Sequence, residues 1–250
     1  MPDASALRNI WIIFKRELAA YFATPLATIF LVIFVALTGA FAFYVGHFFD
    51  RGQADLGAFF GFHPWLYLIL VPAIAMRLWA EERKIGTIEL LMTLPVSPWE
   101  AILGKFLAAW AFIGLALVLT FPMWLTVNYL GNPDNGVILA SYLGSFLMAG
   151  GFLAIGSAVS ALTKNQVIAF IVAAAICFLL VMSGFELVLN SFRSWAPEFL
   201  ISAVSSLSFL SHFEDVTKGL IGLPTIIFYL SLIAFALFAN RIIIDMKKAA

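Results

Sequence analysis

Few side chains in this 250-residue chain can do chemistry: three histidines, one cysteine, and 14 acidic and 14 basic residues. His47, His63 and His212 would have to converge to hold a metal, and their spacing gives no reason to expect it. They read as polar residues at the level of lipid headgroups. Cys177 stands alone in an apolar run, which excludes a disulfide within the chain and a multi-cysteine metal cluster. No serine–histidine–acid set and no buried carboxylate pair can be argued. Gly104-Lys105 is not a phosphate loop, because Trp99 replaces the first glycine and Phe106 the Ser or Thr. No cofactor is expected in this chain, so any ATP and magnesium must sit on a partner. The one dense charge cluster lies elsewhere: six of the charged residues fall between Glu81 and Glu100.

The elements that position these residues follow from composition. Hydrophobic residues make up 63% of the chain and charged residues 11%, with a mean hydropathy of +1.03. Soluble domains carry roughly 45–50% apolar and about 25% charged residues, so a soluble domain is excluded. The expected fold is an all-α polytopic membrane protein. A spanning helix needs about 20 mainly apolar residues, because lipid offers the backbone no hydrogen-bond partner. Six stretches qualify, at 26–46, 62–79, 106–130, 137–162, 167–189 and 223–240. Within the spans, Pro72 and Pro122 predict local kinks. The first stretch is longer than a signal-peptide core and no small-x-small site follows it, so it reads as a retained span.

Six spans put both termini on one side. Eleven of the 14 basic residues share that side, against Arg51, Arg193 and Lys218 on the other, while acidic residues divide evenly. Basic residues concentrate in cytoplasmic loops, so both termini are expected in the cytoplasm, in a bacterial inner membrane. Nothing in the charge balance suggests a nucleic-acid partner.

Two flanking segments are amphipathic. Over 4–22, Leu7, Ile10, Trp11, Phe14, Leu18, Tyr21 and Phe22 follow helical spacing, while Arg8, Lys15, Arg16 and Glu17 fall largely elsewhere on the wheel. That pattern predicts a helix in the interface plane, either a plain anchor or an elbow carrying force from a partner. In the 81–100 loop, Ile85, Ile88, Leu91 and Met92 share one helical face and Pro95 ends the helix. Such a segment is too short to span, but it can dock in a groove on another protein. Ser97, Pro98 and Glu100 then occupy N-cap, first and third positions of a new helix, a capping box.

The run Glu-Glu-Arg-Lys-x-Gly-Thr-Ile-Glu-Leu-Leu-Met-Thr-Leu-Pro-Val-Ser from Glu81, with Gly104-Lys105-Phe106 after it, resembles the signature loop of ABC-2-type transporter permeases. Ser211-His212-Phe213-Glu214-Asp215-Val216-Thr217-Lys218-Gly219-Leu220 resembles the segment before the last span in the gliding-motility branch of that family. The resemblance implies that 81–100 is a coupling loop on a separate ATP-binding subunit, with Glu82, Arg83, Gly86, Thr87, Glu89, Leu90, Leu91 and Pro95 at or near the contact. It further implies that the N-terminal segment is a connecting helix, represented by Trp11, Phe14, Lys15, Arg16 and Glu17. Two copies of the chain would pair above two ATP-binding subunits, with a path lined chiefly by spans one, two and five. The branch also implies a periplasmic auxiliary protein.

Beyond the loop, Glu186 lies near the outer end of an apolar stretch; ionisable groups inside a membrane are often functional, while its depth close to the interface equally suits a solvated or hydrogen-bonded carboxylate. Arg77, at the opposite end of its own span, is expected to snorkel. Small residues Gly150, Ala154 and Ala158, with Gly156 and Ser160 on a neighbouring row, permit close helix approach inside the bundle or across a dimer. The 190–222 segment carries an apolar stripe that includes Phe199 and suits helices dipping into or lying on the outer leaflet. The resemblance implies that outer helices here help close the pathway at the external face, which makes Glu186, Phe199 and His212 candidates for an outer gate. The expected function is the permease subunit of an ATP-driven transporter. Its rivals are a force-transmitting scaffold without solute flux, and an ATP-independent transporter or intramembrane enzyme.

Overall fold

The computed structural model describes residues 4–88, 95–193, 196–220 and 222–248. Every regular element among them is helical: α1 Ala4–Phe22, α2 Pro25–Ala40, a π-helical turn Phe41–Val45, α3 Gly57–Phe60, α4 His63–Ala75 and α5 Arg77–Ile85, then α6 Pro98–Val118, α7 Phe121–Leu130 and α8 Asn135–Leu162, and finally α9 Gln166–Met182, α10 Glu186–Arg193, α11 Glu198–Ser206, α12 Phe209–Thr217 and α13 Leu223–Lys248. Five runs are long and apolar enough to cross a bilayer: Ala27–Val45, Gly57–Ile85, Pro98–Leu130, Asn135–Leu162 and Leu223–Met246.

The fifth apolar stretch, 167–189, is shorter as a helix than its sequence suggests. Helix α9 has 17 residues and stops at Met182, about 26 Å of helix against a hydrocarbon core of about 30 Å. Apolar composition continues to 189, but the chain turns at Ser183–Phe185. Gly184 is pressed against α12 there: a Cβ on it would collide with the hydroxyls of Ser208 and Ser211. Tertiary contact, not local hydropathy, ends this helix.

Helix α8 is the hub and packs against α4, α5, α6, α9, α12 and α13. Its small residues make this possible. A Cβ on Gly156 would strike Ala75 of α4, and one on Gly150 would meet the Trp110 indole of α6 at 2.8 Å. The small-residue rows at Gly150 and Gly156 therefore serve packing within the chain. Around the hub lie buried rings, among them Tyr67, Trp79, Phe112, Phe152, Phe209 and Tyr229.

Helix breaks fall close to the prolines. Helix α4 runs through Pro72 and breaks at Met76, where α5 begins. The α6–α7 break is at Leu119–Thr120, and Pro122 sits in the first turn of α7, where a missing N–H costs nothing. The capping box is present: Glu100 N–H donates to Ser97 Oγ at 3.3 Å, and Ser97 N–H to Glu100 Oε2 at 3.0 Å.

Candidate functional site

Helix α1 lies along the start of α6. Ile13 is 6% exposed, and Gly104 provides the space: a Cβ there would stand 2.6 Å from Ile13 Cγ2. Asn9 Nδ2 donates to Glu100 Oε2 at 3.1 Å, tying α1 to the capping box. Further along, the Tyr21 ring stacks on Phe112 at 4.9 Å. The wheel reading placed Glu17 with the polar residues of α1, and this is corrected. Glu17 points into the α1–α6 seam, because Lys105 opposite it supplies the compensating charge. Trp11 is 53% exposed, stacks on Phe14 at 5.1 Å, and carries the Lys15 ammonium 4.9 Å from its centroid.

Lys105 is the centre of the site. Its side chain is 3% exposed, and Nζ lies 3.1 Å from Glu17 Oε1 of α1 and 2.6 Å from Glu82 Oε1 of α5. The ammonium also stands 5.5 Å from the Trp79 ring centroid. One buried cation thus joins three helices. A buried charge is tolerated when paired, and removing one partner leaves the other stranded at a cost of about 3–5 kcal/mol. Burial on its own would push the Glu17 carboxyl up. The Lys105 charge and hydrogen bonds from Arg16 and Lys105 outweigh it and hold the group below its ordinary value. Glu82 Oε2 is buried and makes no hydrogen bond.

From Glu82 the chain runs into the charge-dense loop. The Arg83 guanidinium donates to the Ala161 carbonyl at the end of α8. Gly86 closes α5 with φ of +83°, its N–H donating to the Glu82 carbonyl at 2.9 Å. That left-handed conformation favours glycine. Thr87 is exposed, and Ile85 is 66% exposed among the described residues. Pro95 is exposed where the description resumes. Glu89, Leu90 and Leu91 lie outside the described residues, as does Met92.

The other end of α5 is held by two hydroxyls of α8: Ser160, which the sequence suggested only for close packing, and Ser157, which sequence reasoning missed. The first N–H groups of a helix lack partners within it. Here Ser160 Oγ of α8 accepts from Trp79 N–H at 3.1 Å and Ala80 N–H at 3.0 Å, and donates to the Met76 carbonyl at 2.8 Å. Ser160 therefore caps α5 across the helix break. Ser157 Oγ accepts from Trp79 Nε1 at 3.2 Å and from Asn240 Nδ2 of α13 at 2.7 Å. A continuous polar chain, Lys105–Trp79–Ser157–Asn240, thus crosses α6, α5, α8 and α13. Arg77, expected to snorkel, forms a two-point ion pair with Glu81, at 2.8 and 3.1 Å.

The far-end candidates do not converge on such a network. Glu186 opens the short helix α10 and is exposed, which corrects its placement within a long apolar helix. Phe199 is 70% exposed on α11. His212 stacks on Phe228 at 4.1 Å, with Nε2 3.0 Å from the Ser206 carbonyl. His47 is exposed beside Asp50. His63 is the correction among the histidines: it is fully buried and no headgroup-level residue. Its Nδ1 is 2.8 Å from Ser145 Oγ, which also bonds Tyr67 Oη at 2.7 Å, amid Phe34, Phe59 and Phe60. Ser145 on α8 supplies the polar partner for that ring, a signal visible once the helices are paired.

The described residues form an all-helical bundle with five helices long and apolar enough to cross a membrane, an amphipathic flanking helix and an ionic seam beside a charged loop. The family model described as ABC-2 family transporter protein matches residues 11–222. The chain belongs to that family. Membership makes it a multi-pass membrane protein of the permease type and implies an ATP-binding partner subunit. Comparison with curated proteins returns no match.

Proposed function

We propose that this chain is the membrane permease of an ATP-driven transporter and that the 82–95 loop is its contact with the ATP-binding subunit. Two copies of the chain stand above two such subunits, in an inner membrane with both termini in the cytoplasm, and ATP and Mg²⁺ belong to the partner. Helix α9 serves as the sixth membrane segment, completed by local thinning or by the turn after Met182. Closure of the ATP-binding subunits pushes on the loop. A rigid helix set in a partner's cleft converts such closure into tilting of the spans.

The observation that carries this reading is the Lys105 seam. Helix α5 cannot move under a push at Ile85–Thr87 without moving α1 and α6, because Glu82, Lys105 and Glu17 are one buried ion cluster. Its other end is fastened by Ser160 to α8. The loop therefore adjoins α5, which these contacts join to α1, α6 and α8.

The test is co-purification with the ATP-binding subunit. Glu89→Lys and Leu91→Asp are expected to weaken the pull-down by about tenfold, the effect of losing ~1.4 kcal/mol at a contact, while helicity by circular dichroism is unchanged. Undiminished pull-down and ATPase stimulation would remove the loop from the contact. The gliding-motility likeness further suggests a periplasmic partner, which the same purification in mild detergent would reveal.

A further inference from the structure

Between α6, α7 and α8, at the end of the bundle remote from the 82–95 loop, lies a cleft of about 450 Å³ lined by Ala111, Gly114, Val118, Trp124, Leu143 and Phe146 among others. This falls in the roughly 300–1,000 Å³ range of ligand-holding clefts. Its lining comes from both sides of the break at Leu119–Thr120, with Val118 before it and Phe121 and Trp124 after it. Small residues form one wall: even a Cβ on Gly114 would stand 3.0 Å from the Phe146 ring. Phe146 is fixed by stacking on Trp110 at 4.5 Å, so that wall is preformed.

The lining says what fits. Two of its side chains carry polar atoms, and both are engaged elsewhere. Tyr142 Oη bonds Thr120 Oγ1 and the Thr120 carbonyl, each at 3.1 Å, and Trp124 Nε1 donates to Asn135 Oδ1 at 2.6 Å. A solute needing hydrogen bonds would lose its hydration and gain nothing, which costs several kcal/mol per group. Val118, Phe121 and Leu143 are 66%, 46% and 52% exposed, so the mouth opens sideways along the bundle surface, where lipid tails run. At one end, Asn128 and Asn135 pair through reciprocal amide bonds at 3.0 and 3.1 Å, an uncharged polar rim beyond the apolar walls. A second copy of the chain is the rival occupant. Its natural seat is the convex, unpartnered faces of α2 and α9, where Val32, Val167, Ile171 and Leu179 are exposed, and none of these lines the cleft.

We propose that the cleft seats one acyl chain of a phospholipid from the leaflet remote from the loop, with its headgroup region at Asn128 and Asn135. The ordered lipid wedges the α6–α7 break open and keeps α7 from straightening onto α6. This site stands on the side of each copy, apart from any path between copies, and it does not depend on the coupling contact.

The test uses the full chain in nanodiscs of phosphatidylethanolamine and phosphatidylglycerol, doped with phosphatidylcholine bearing a diazirine midway along one acyl chain. After irradiation, peptide mass spectrometry is expected to find label on Gly114–Phe121 and Leu143–Phe146 at about ten times its density on the exposed faces of α2 and α9, the ratio of a ~1.4 kcal/mol preference over bulk lipid. Leu143→Trp and, separately, Val118→Trp fill the mouth and should remove that excess while leaving α2 labelled, which also reports that the bundle remains folded. Uniform labelling of all bilayer-facing helices would overturn the proposal. So would chain-to-chain disulfide formation by Leu143→Cys, which would assign the cleft to a second copy.

Discussion

The two ends of the bundle are built from different interactions. At the loop end, α1, α5, α6, α8 and α13 are joined by a buried ion cluster, a helix cap supplied by Ser160, and the Ser157–Asn240 pair. At the far end, stacked and edge-on rings such as Trp124–Tyr142 and Phe60–Tyr142 stand beside uncharged hydrogen bonds such as Asn128–Asn135, and the short helices α10 and α11 lie mostly exposed. Separating a buried ion pair strands its charges, whereas ring packing tolerates small displacements. Under the proposed function, a push at the loop would enter through the ion cluster, and the far end would rearrange in response.

The largest expected effect is at Lys105. Lys105→Met strands Glu17 and Glu82, and a loss of about 3–5 kcal/mol is expected in unfolding from mild detergent. Restoring neutrality with Glu17→Gln and Glu82→Gln in the same chain should recover most of it; no recovery would mean that the three residues do not act as a unit. The Glu17 contribution also has a pH signature. Because its folded value lies below the ordinary one, the stabilisation is complete above the ordinary carboxylate pKa and fades as pH falls through the lowered value. The melting difference between wild type and Glu17→Gln should therefore shrink on acidification, and a difference that grows would reverse the assignment.

Gly104→Ala comes next. The added methyl meets Ile13 in a seam without room, so α1 must lift from α6, at about 1–3 kcal/mol. Ser97→Ala removes half of the capping box and should cost ~1 kcal/mol. The smallest effect is expected at the far end: Phe199→Ala, on an exposed helix, should change stability within about 0.5 kcal/mol. A Phe199 effect as large as that of Lys105 would erase the contrast between the ends.

Much of this architecture is legible in local sequence. Apolar length gives the long spans, and Ser97-Pro98-Trp99-Glu100 gives the start of α6 from capping chemistry alone. What escapes local reading is decided across helices. Glu17 looks like a surface residue until Lys105 is placed opposite it. His63 looks interfacial until Ser145 of α8 is seen to accommodate it. The end of α9 depends on Ser208, well outside its own window, and Ser160 acquires its capping role only because α5 starts beside it. In each case a polar residue in apolar surroundings finds its partner at long sequence separation, which periodicity cannot register.

The most direct test of the central claim places a photoreactive benzoylphenylalanine at Ile85, the exposed apolar residue beside Gly86, with the ATP-binding subunit co-expressed. Irradiation of the purified complex is expected to give a covalent adduct of this chain with that subunit, and the same probe at Phe199 should give none. A complex that co-purifies intact but yields no adduct from Ile85, or yields it from Phe199 instead, would contradict the account.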